Sequence, residues 1–132
     1  MATYHLQIVT PDRLVYDGEA ERVILRTVRG DVCILAKHID YAAPLGTGEA
    51  KVVFEDGNER IAACSSGLLS VSGGEVRVMA TTFEWADEID LERAEKTRAA
   101  VEQKLASQQS EADQAMLEAK LKRALVRIQV KG

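Results

Sequence analysis

Glu88-Ile89-Asp90-Leu91-Glu92-Arg93-Ala94 is the stretch at which the chain changes period. Upstream of it, short apolar–polar alternations are broken by glycine-containing turns. Downstream, no Gly or Pro occurs until Gly132, and apolar residues recur at helical spacing. Asp90 and Arg93 also place opposite charges one turn apart at the border. Two unlike modules meeting at a charged hinge suit a part that docks by one module and moves the other.

Reading back from the hinge, the chain is strand-like. Tyr4, Leu6 and Ile8 alternate with His5, Gln7 and Val9, which predicts a strand with one face better buried. Thr10-Pro11-Asp12-Arg13 has turn chemistry, because Pro11 pre-sets φ and Asp12 can bond its own backbone. Leu14 to Tyr16 read as a short strand ended by an Asp17-Gly18 turn. Residues 20–27 form the next strand, with Val23 and Leu25 on one face, and Arg29-Gly30-Asp31 turn into a short strand over Val32 to Leu35. Ala36 to Pro44 is less regular. Residues 50–55 alternate up to Asp56-Gly57, a tight-hairpin signal, and Arg60 to Cys64 return from it. Ser65-Ser66-Gly67 break the run, Leu68 to Val71 resume it, and Gly73-Gly74 supply a second hairpin into Val76, Val78 and Ala80. About nine or ten short strands with frequent turns describe an antiparallel sandwich or a flattened barrel.

Reading forward, Leu91, Ala94, Arg98, Val101 and Leu105 form one helical seam, with Asp90 as its N-cap. Ser107-Gln108-Gln109-Ser110 is a short polar connection. Ser110 caps a second helix whose seam is Leu117, Leu121, Ala124 and Ile128, with Glu111 and Asp113 in its first turn. The pairs Glu92–Lys96 and Glu118–Lys122 have i,i+4 spacing. So short a loop implies an antiparallel helical hairpin. Its many alanines allow close approach but bury little area, so the hairpin is marginal alone and suited to folding on its own sandwich or extending onto a partner.

Composition sets outer bounds. The 132 residues make one domain, or one domain with a small appendage. The content is 46% hydrophobic but only 5% aromatic, so aliphatic side chains must fill the core. A net charge of −4 argues against nonspecific nucleic-acid binding. The charge divides unevenly: residues 1–89 are net −6 and residues 90–132 net +2, which favours the second half for an anion site. Cys33 and Cys64 lie in apolar runs without metal-ligand spacing and read as two buried free thiols. No signal peptide is visible, and no apolar run approaches ~20 residues, so membrane association must go through a partner.

No nucleophile elbow, P-loop, dinucleotide fingerprint or zinc-protease motif occurs. His5 sits on a strand and His38 in a loop, and neither has catalytic partners in the sequence. Glu84, Asp87, Glu88 and Asp90 are acidic residues at the start of the first helix, where its dipole favours them. Arg123 and Arg127 share one helix face, and an antiparallel hairpin brings Arg93 beside them. Guanidinium forks suit phosphate oxygens. Two readings stay open at this level: an internal salt-bridge network with Glu84 and Asp90, or a site whose anion is a nucleotide phosphate.

Five segments in order resemble the epsilon-subunit family of bacterial F-type ATP synthases. They are Val9-Thr10-Pro11-Asp12-Arg13-Leu14-Val15-Tyr16; Gly30-Asp31-Val32-Cys33-Ile34-Leu35-Ala36-Lys37-His38; Ser66-Gly67-Leu68-Leu69-Ser70-Val71; Ile89-Asp90 with Arg93-Ala94; and Lys122-Arg123-Ala124 with Arg127. The resemblance implies an α+β fold, with a ten-stranded antiparallel β-sandwich over residues 1–86 and a regulatory two-helix hairpin over residues 87–132. It implies a noncatalytic rotor subunit of the central stalk, at the cytoplasmic face of the cell membrane and peripheral to it. The implied partners are the gamma subunit, the c-ring, which Asp31 and His38 would approach from loops, and the alpha and beta subunits when the hairpin extends to inhibit ATP hydrolysis. No catalytic residue, metal or required cofactor is implied. ATP enters as a regulatory ligand of the compact hairpin, on Glu84, Ile89, Asp90, Arg93, Ala94, Arg123 and Arg127. The sequence departs from the family pattern at Cys33 and Ala36, where Gly and Pro are usual, and at Ala100, where ATP-binding members carry a further arginine. Arg98 stands two positions away, a rotation of roughly 200° on a helix, so the expectation is weakened ATP binding. A stand-alone nucleotide-sensing module is the alternative, and an enzyme built on the acidic cluster and His38 a more distant one.

Overall fold

A computed structural model describes residues 2–107 and 110–132. Seven strands come first: β1 (Tyr4–Val9), β2 (Leu14–Thr27), β3 (Gly30–Leu35), β4 (Tyr41–Leu45), β5 (Gly48–Phe54), β6 (Glu59–Ser72) and β7 (Glu75–Trp85). A 3-10 turn over Ala86–Glu88 leads into α1 (Leu91–Ala106) and α2 (Glu111–Lys131). The expected connection between the helices includes Gln108 and Gln109, which lie outside the described residues.

The strands form a flattened barrel of sandwich type. β1 pairs antiparallel with β2 and parallel with β7, β7 pairs with β6, β6 with β5, and β5 with β2, which closes the ring. β4 bonds β6 and touches β2 at Thr27–Leu45, and β3 extends β2. The expectation of ten antiparallel strands is corrected to seven strands with one parallel pairing. The physical cause is strand length. Asp17-Gly18 does not turn the chain: β2 runs through it for 14 residues, with Gly18 paired to Leu6. β6 likewise runs 14 residues through Ser65-Ser66-Gly67. At Gly67 a φ of +153° and the absence of a side chain let β7 come so close that a Cβ would lie 1.9 Å from the Met79 carbonyl oxygen. A glycine that looks like a break in the sequence is here a point of close backbone approach.

The period-2 pattern places the core as the sequence implies. Tyr4, Leu6 and Ile8 of β1, Val23 and Leu25 of β2, and Val76, Val78 and Ala80 of β7 are buried together with Ile34, Val52, Leu69, Phe83 and Trp85. Cys64 is buried among them, and burial pushes its thiol up to about 12. Cys33 corrects the expectation of two buried thiols. It is exposed, because on β3 the inward position belongs to Ile34.

The hairpin lies against the outer face of β6 and β5, on the side opposite the core residue Ala62. α2 packs over β6, with flanking contacts to β5 and the 3-10 turn. Ile89 and Val130 bury against Ala63, with Ile61, Ala86 and Val126 around them. Between the helices the buried residues are small, Ala94 and Val101 from α1 and Ala124 from α2. Asp90 caps α1 by accepting from the Arg93 N–H at 3.0 Å, and Ser110 caps α2 through the Asp113 N–H. The Glu92–Lys96 pair forms at 3.2 Å. Glu118 instead accepts from Gln114, so the expected Glu118–Lys122 pair is not made.

Candidate functional site

The end of β7, the turn before β2 and the facing sides of α1 and α2 enclose a cleft of about 620 Å3. The sandwich contributes Thr10, Asp12, Arg13, Thr81, Thr82, Phe83 and Glu84. The helices contribute Asp90, Arg93, Ala94 and Thr97 from α1 and Lys120, Arg123 and Arg127 from α2, with Glu88 from the hinge. This volume lies in the range of small-molecule sites.

Of the residues expected from the sequence, the cleft gathers Glu84, Asp90, Arg93, Ala94, Arg123 and Arg127. Ile89 is not a lining residue. It is 4% exposed and anchors the hinge under α2, so its part is to hold Asp90 and Arg93 in place. Ala94 is buried and lines the wall, where a larger side chain would fill the cleft.

The charges in the cleft divide into paired and unpaired groups. The Arg127 Nε donates to Glu84 Oε1 at 2.5 Å, with both side chains about one-third exposed or less (25% and 34%). Arg13 grips Glu88 through two donors, Nη1 at 2.9 Å and Nη2 at 2.8 Å. That grip holds the Glu88 carboxyl below its ordinary range against the opposing upward push of burial, and the Trp85 N–H helps with a bond at 3.0 Å. One oxygen of Asp90 is committed to the cap. Among the described residues, Arg93, Lys120 and Arg123 have no carboxylate within ion-pair distance. Three cations facing one concave space, none of them in an ion pair, favour an anion there. The salt-bridge reading therefore holds for Arg127 and not for Arg93 or Arg123.

Lys120, Arg13 and Thr97 are not expected in the site from the sequence, and Glu88 is read there only as part of the acidic cluster before the first helix. A signal for Lys120 was available: Lys120, Arg123 and Arg127 stand at i, i+3 and i+7 on one helix face. Arg13 and Glu88 are 75 residues apart, and nothing local announces their contact. Arg98 turns to Glu102 at 3.7 Å and does not line the cleft, in keeping with its rotation away from Ala100.

The other two expected residues lie elsewhere. Asp31 is on β3, not in a loop, and pairs with the Arg26 Nε at 2.5 Å. His38 follows the far end of that strand, after Lys37 at φ +65°, and its ring meets Tyr41 edge-on at 5.7 Å. His38 lies in the turn after β3, where its N–H donates to the Leu35 carbonyl at 3.2 Å.

Two family models together span this architecture. The beta-sandwich domain of the ATP synthase delta/epsilon chain matches residues 3–86, and the long alpha-helix domain of the same chain matches residues 87–132. The chain belongs to the ATP synthase delta/epsilon family. Curated members similar to it include the ATP synthase epsilon chains of Shouchella clausii, 41% identical over 98% of this chain and 96% of that one, and of Ruminococcus albus, 39% identical over 98% and 97%. The fold is also that of a chain in the mitochondrial ATP synthase structure from Euglena gracilis, with a TM-score of 0.80 at 22% identity, covering 92% of this chain and 77% of that one. A chain of the Tetrahymena thermophila enzyme's central stalk and c-ring structure gives 0.71 at 13% identity, covering 97% and 96%. Relative to this delta/epsilon framework, the cleft lies where the sandwich model ends and the helical model begins.

Proposed function

We propose that this delta/epsilon-family chain is the noncatalytic central-stalk subunit of a proton-translocating F-type ATP synthase. Its sandwich docks on the gamma subunit and the c-ring, at the cytoplasmic face of the cell membrane. Its hairpin, when extended along gamma toward the alpha and beta subunits, inhibits ATP hydrolysis, and ATP binding favours the compact form. Membrane association goes through these partners, and no helix among the described residues is long and apolar enough to cross a bilayer.

The observation that carries the regulatory part is the pair Arg93 and Arg123, facing one cleft without carboxylate partners. The cleft exists only while α1 and α2 lie folded beside β7. A ligand that neutralises both arginines therefore binds the compact state better than the extended one, and that differential affinity is what shifts the equilibrium. Nucleotide phosphates fit the guanidinium donors. Glu84, tied to Arg127, keeps an acceptor on the sandwich side for the nucleoside. The small Ala100 removes one cation from the α1 face, a loss on the order of 1.5–3 kcal/mol of charge-assisted bonding, so affinity should be modest.

Calorimetry of the whole chain with ATP, together with a distance probe between the sandwich and the C-terminal end of α2, tests this. Millimolar ATP should give saturable heat and a narrower, shorter distance distribution. No heat at millimolar ATP would remove the regulatory site. In the assembled complex, truncation before Asp87 should raise ATP hydrolysis severalfold, and unchanged hydrolysis would remove the inhibitory role.

A further inference from the structure

We infer that Lys120 reads the terminal phosphate of the nucleotide, and so makes the cleft selective for a triphosphate over a diphosphate; this rests on the nucleotide reading above. A second cavity of about 540 Å3 adjoins the first on the hairpin side. The two share Asp90, Arg93, Thr97 and Lys120, so Lys120 stands at the joint between them. Ala100 lines the second cavity, and its short side chain helps leave that space open.

The distribution of charge orients the ligand. On the sandwich side the carboxylates Asp12, Glu84 and Glu88 line the cleft, and Arg127 is already neutralised by Glu84. A polyphosphate placed there meets repulsion. Away from the sandwich, Arg127, Arg123 and Lys120 climb α2 in a row about 10 Å long at 1.5 Å rise per residue. Arg93 faces that row from α1. Asp90 lines both cavities too, with one oxygen held by the Arg93 N–H; the cations that lack an ion pair, Arg93, Arg123 and Lys120, are nevertheless all on the helices, and Lys120 is the outermost cation of the row. A diphosphate that engages Arg93 and Arg123 stops short of it, whereas a triphosphate continues to it. Lys96, which also lines the second cavity, is tied to Glu92 at 3.2 Å, and Lys104 lines the second cavity without reaching the first.

The test is titration of the full chain with ATP and with ADP, comparing wild type, Lys120→Met and Lys120→Arg, with circular dichroism confirming that helix content is unchanged. Lys120→Met should weaken ATP binding about tenfold, the low end for a charge-assisted contact near solvent, and leave ADP within about twofold. Lys120→Arg should restore most of the ATP affinity. If wild type binds ATP and Lys120→Met binds it equally well, or if both nucleotides weaken alike, the assignment of Lys120 fails while the nucleotide site stands. If wild type binds neither nucleotide, the nucleotide reading itself fails and this inference with it.

Discussion

Gly67 carries a burden that no local pattern announces. It pairs with Ala80 where β6 crosses β7, at a φ that side chains rarely adopt. A methyl group there would overlap the Met79 carbonyl, and the contact is with backbone, which has nowhere to go in a closed ring. Gly67→Ala should cost about 2–4 kcal/mol and lower the thermal midpoint on the order of 10 °C, measurable by differential scanning calorimetry. Loss of less than a degree would mean that the strands re-register cheaply. His5 and Asp17, on neighbouring strands, offer a second residue-level test. The bond to Asp17 raises the His5 ring above its ordinary value, and the same bond lowers Asp17. The histidine contribution is full below the unfolded value of about 6.5 and fades as pH rises through the raised folded one. The aspartate contribution is present above about 4 and fades as pH falls through its lowered value. Urea denaturation should therefore show His5→Gln most destabilised, relative to wild type, between about pH 4.5 and 6 and nearly equal to it at pH 8.5. An equal gap at both pH values would show that the pair contributes through packing and not through charge.

At the scale of elements, the hinge is held by two devices. Arg13 clasps Glu88 from the turn before β2, and Arg60 covers the Trp85 ring at 4.1 Å while reaching Asp87 at 3.1 Å. Beyond this point the N-cap of Asp90 starts a helix that buries only Ala94 and Val101. With so little area behind it, α1 depends heavily on that cap. Asp90→Ala should cost about 1 kcal/mol, and helix signal should fall in far-ultraviolet circular dichroism before the near-ultraviolet signal of the sandwich core changes. Coincident loss of both would show one cooperative unit. The helices were legible in the sequence because their seams and caps are local: Asp90, Ser110, Ala94 and Val101 follow from spacing alone. The strand count was not, because Gly18 and Gly67 have the residue type of turns, and only the neighbouring strands show that the chain passes straight through. The cleft was half legible for a similar reason. Arg93, Arg123 and Arg127 converge once a hairpin is assumed, whereas the Arg13–Glu88 clasp joins residues far apart in the chain and needs the closed barrel. Asp31 and His38 both read as loop residues, but Asp31 belongs to β3, because it pairs with Arg26 on β2, and only His38 stands in a loop.

At the scale of the whole molecule, the two parts are stabilised very unequally. The barrel buries nineteen side chains in one connected core, from Tyr4 to Trp85, and none of them belongs to the helices. The hairpin meets the barrel through a much smaller set, in which Ala63, Ile89 and Val130 are buried. Hydrophobic stabilisation scales with apolar area at about 25 cal/mol per Å2, so nearly all of it sits in the barrel. The proposed extension of the hairpin needs this inequality, because a well-buried hairpin would be locked in place. A fragment of residues 1–86 should therefore unfold cooperatively within about 5 °C of the intact chain, whereas residues 87–132 alone should show little helix, as expected for two short helices without their packing surface. The fragment would expose Ile61 and Ala63, so it should also associate weakly at high concentration, visible in sedimentation. A barrel fragment that fails to fold would mean that the hairpin is part of the core's stability, and a compact-to-extended switch would then carry a far larger free-energy cost than ligand binding in the cleft can offset.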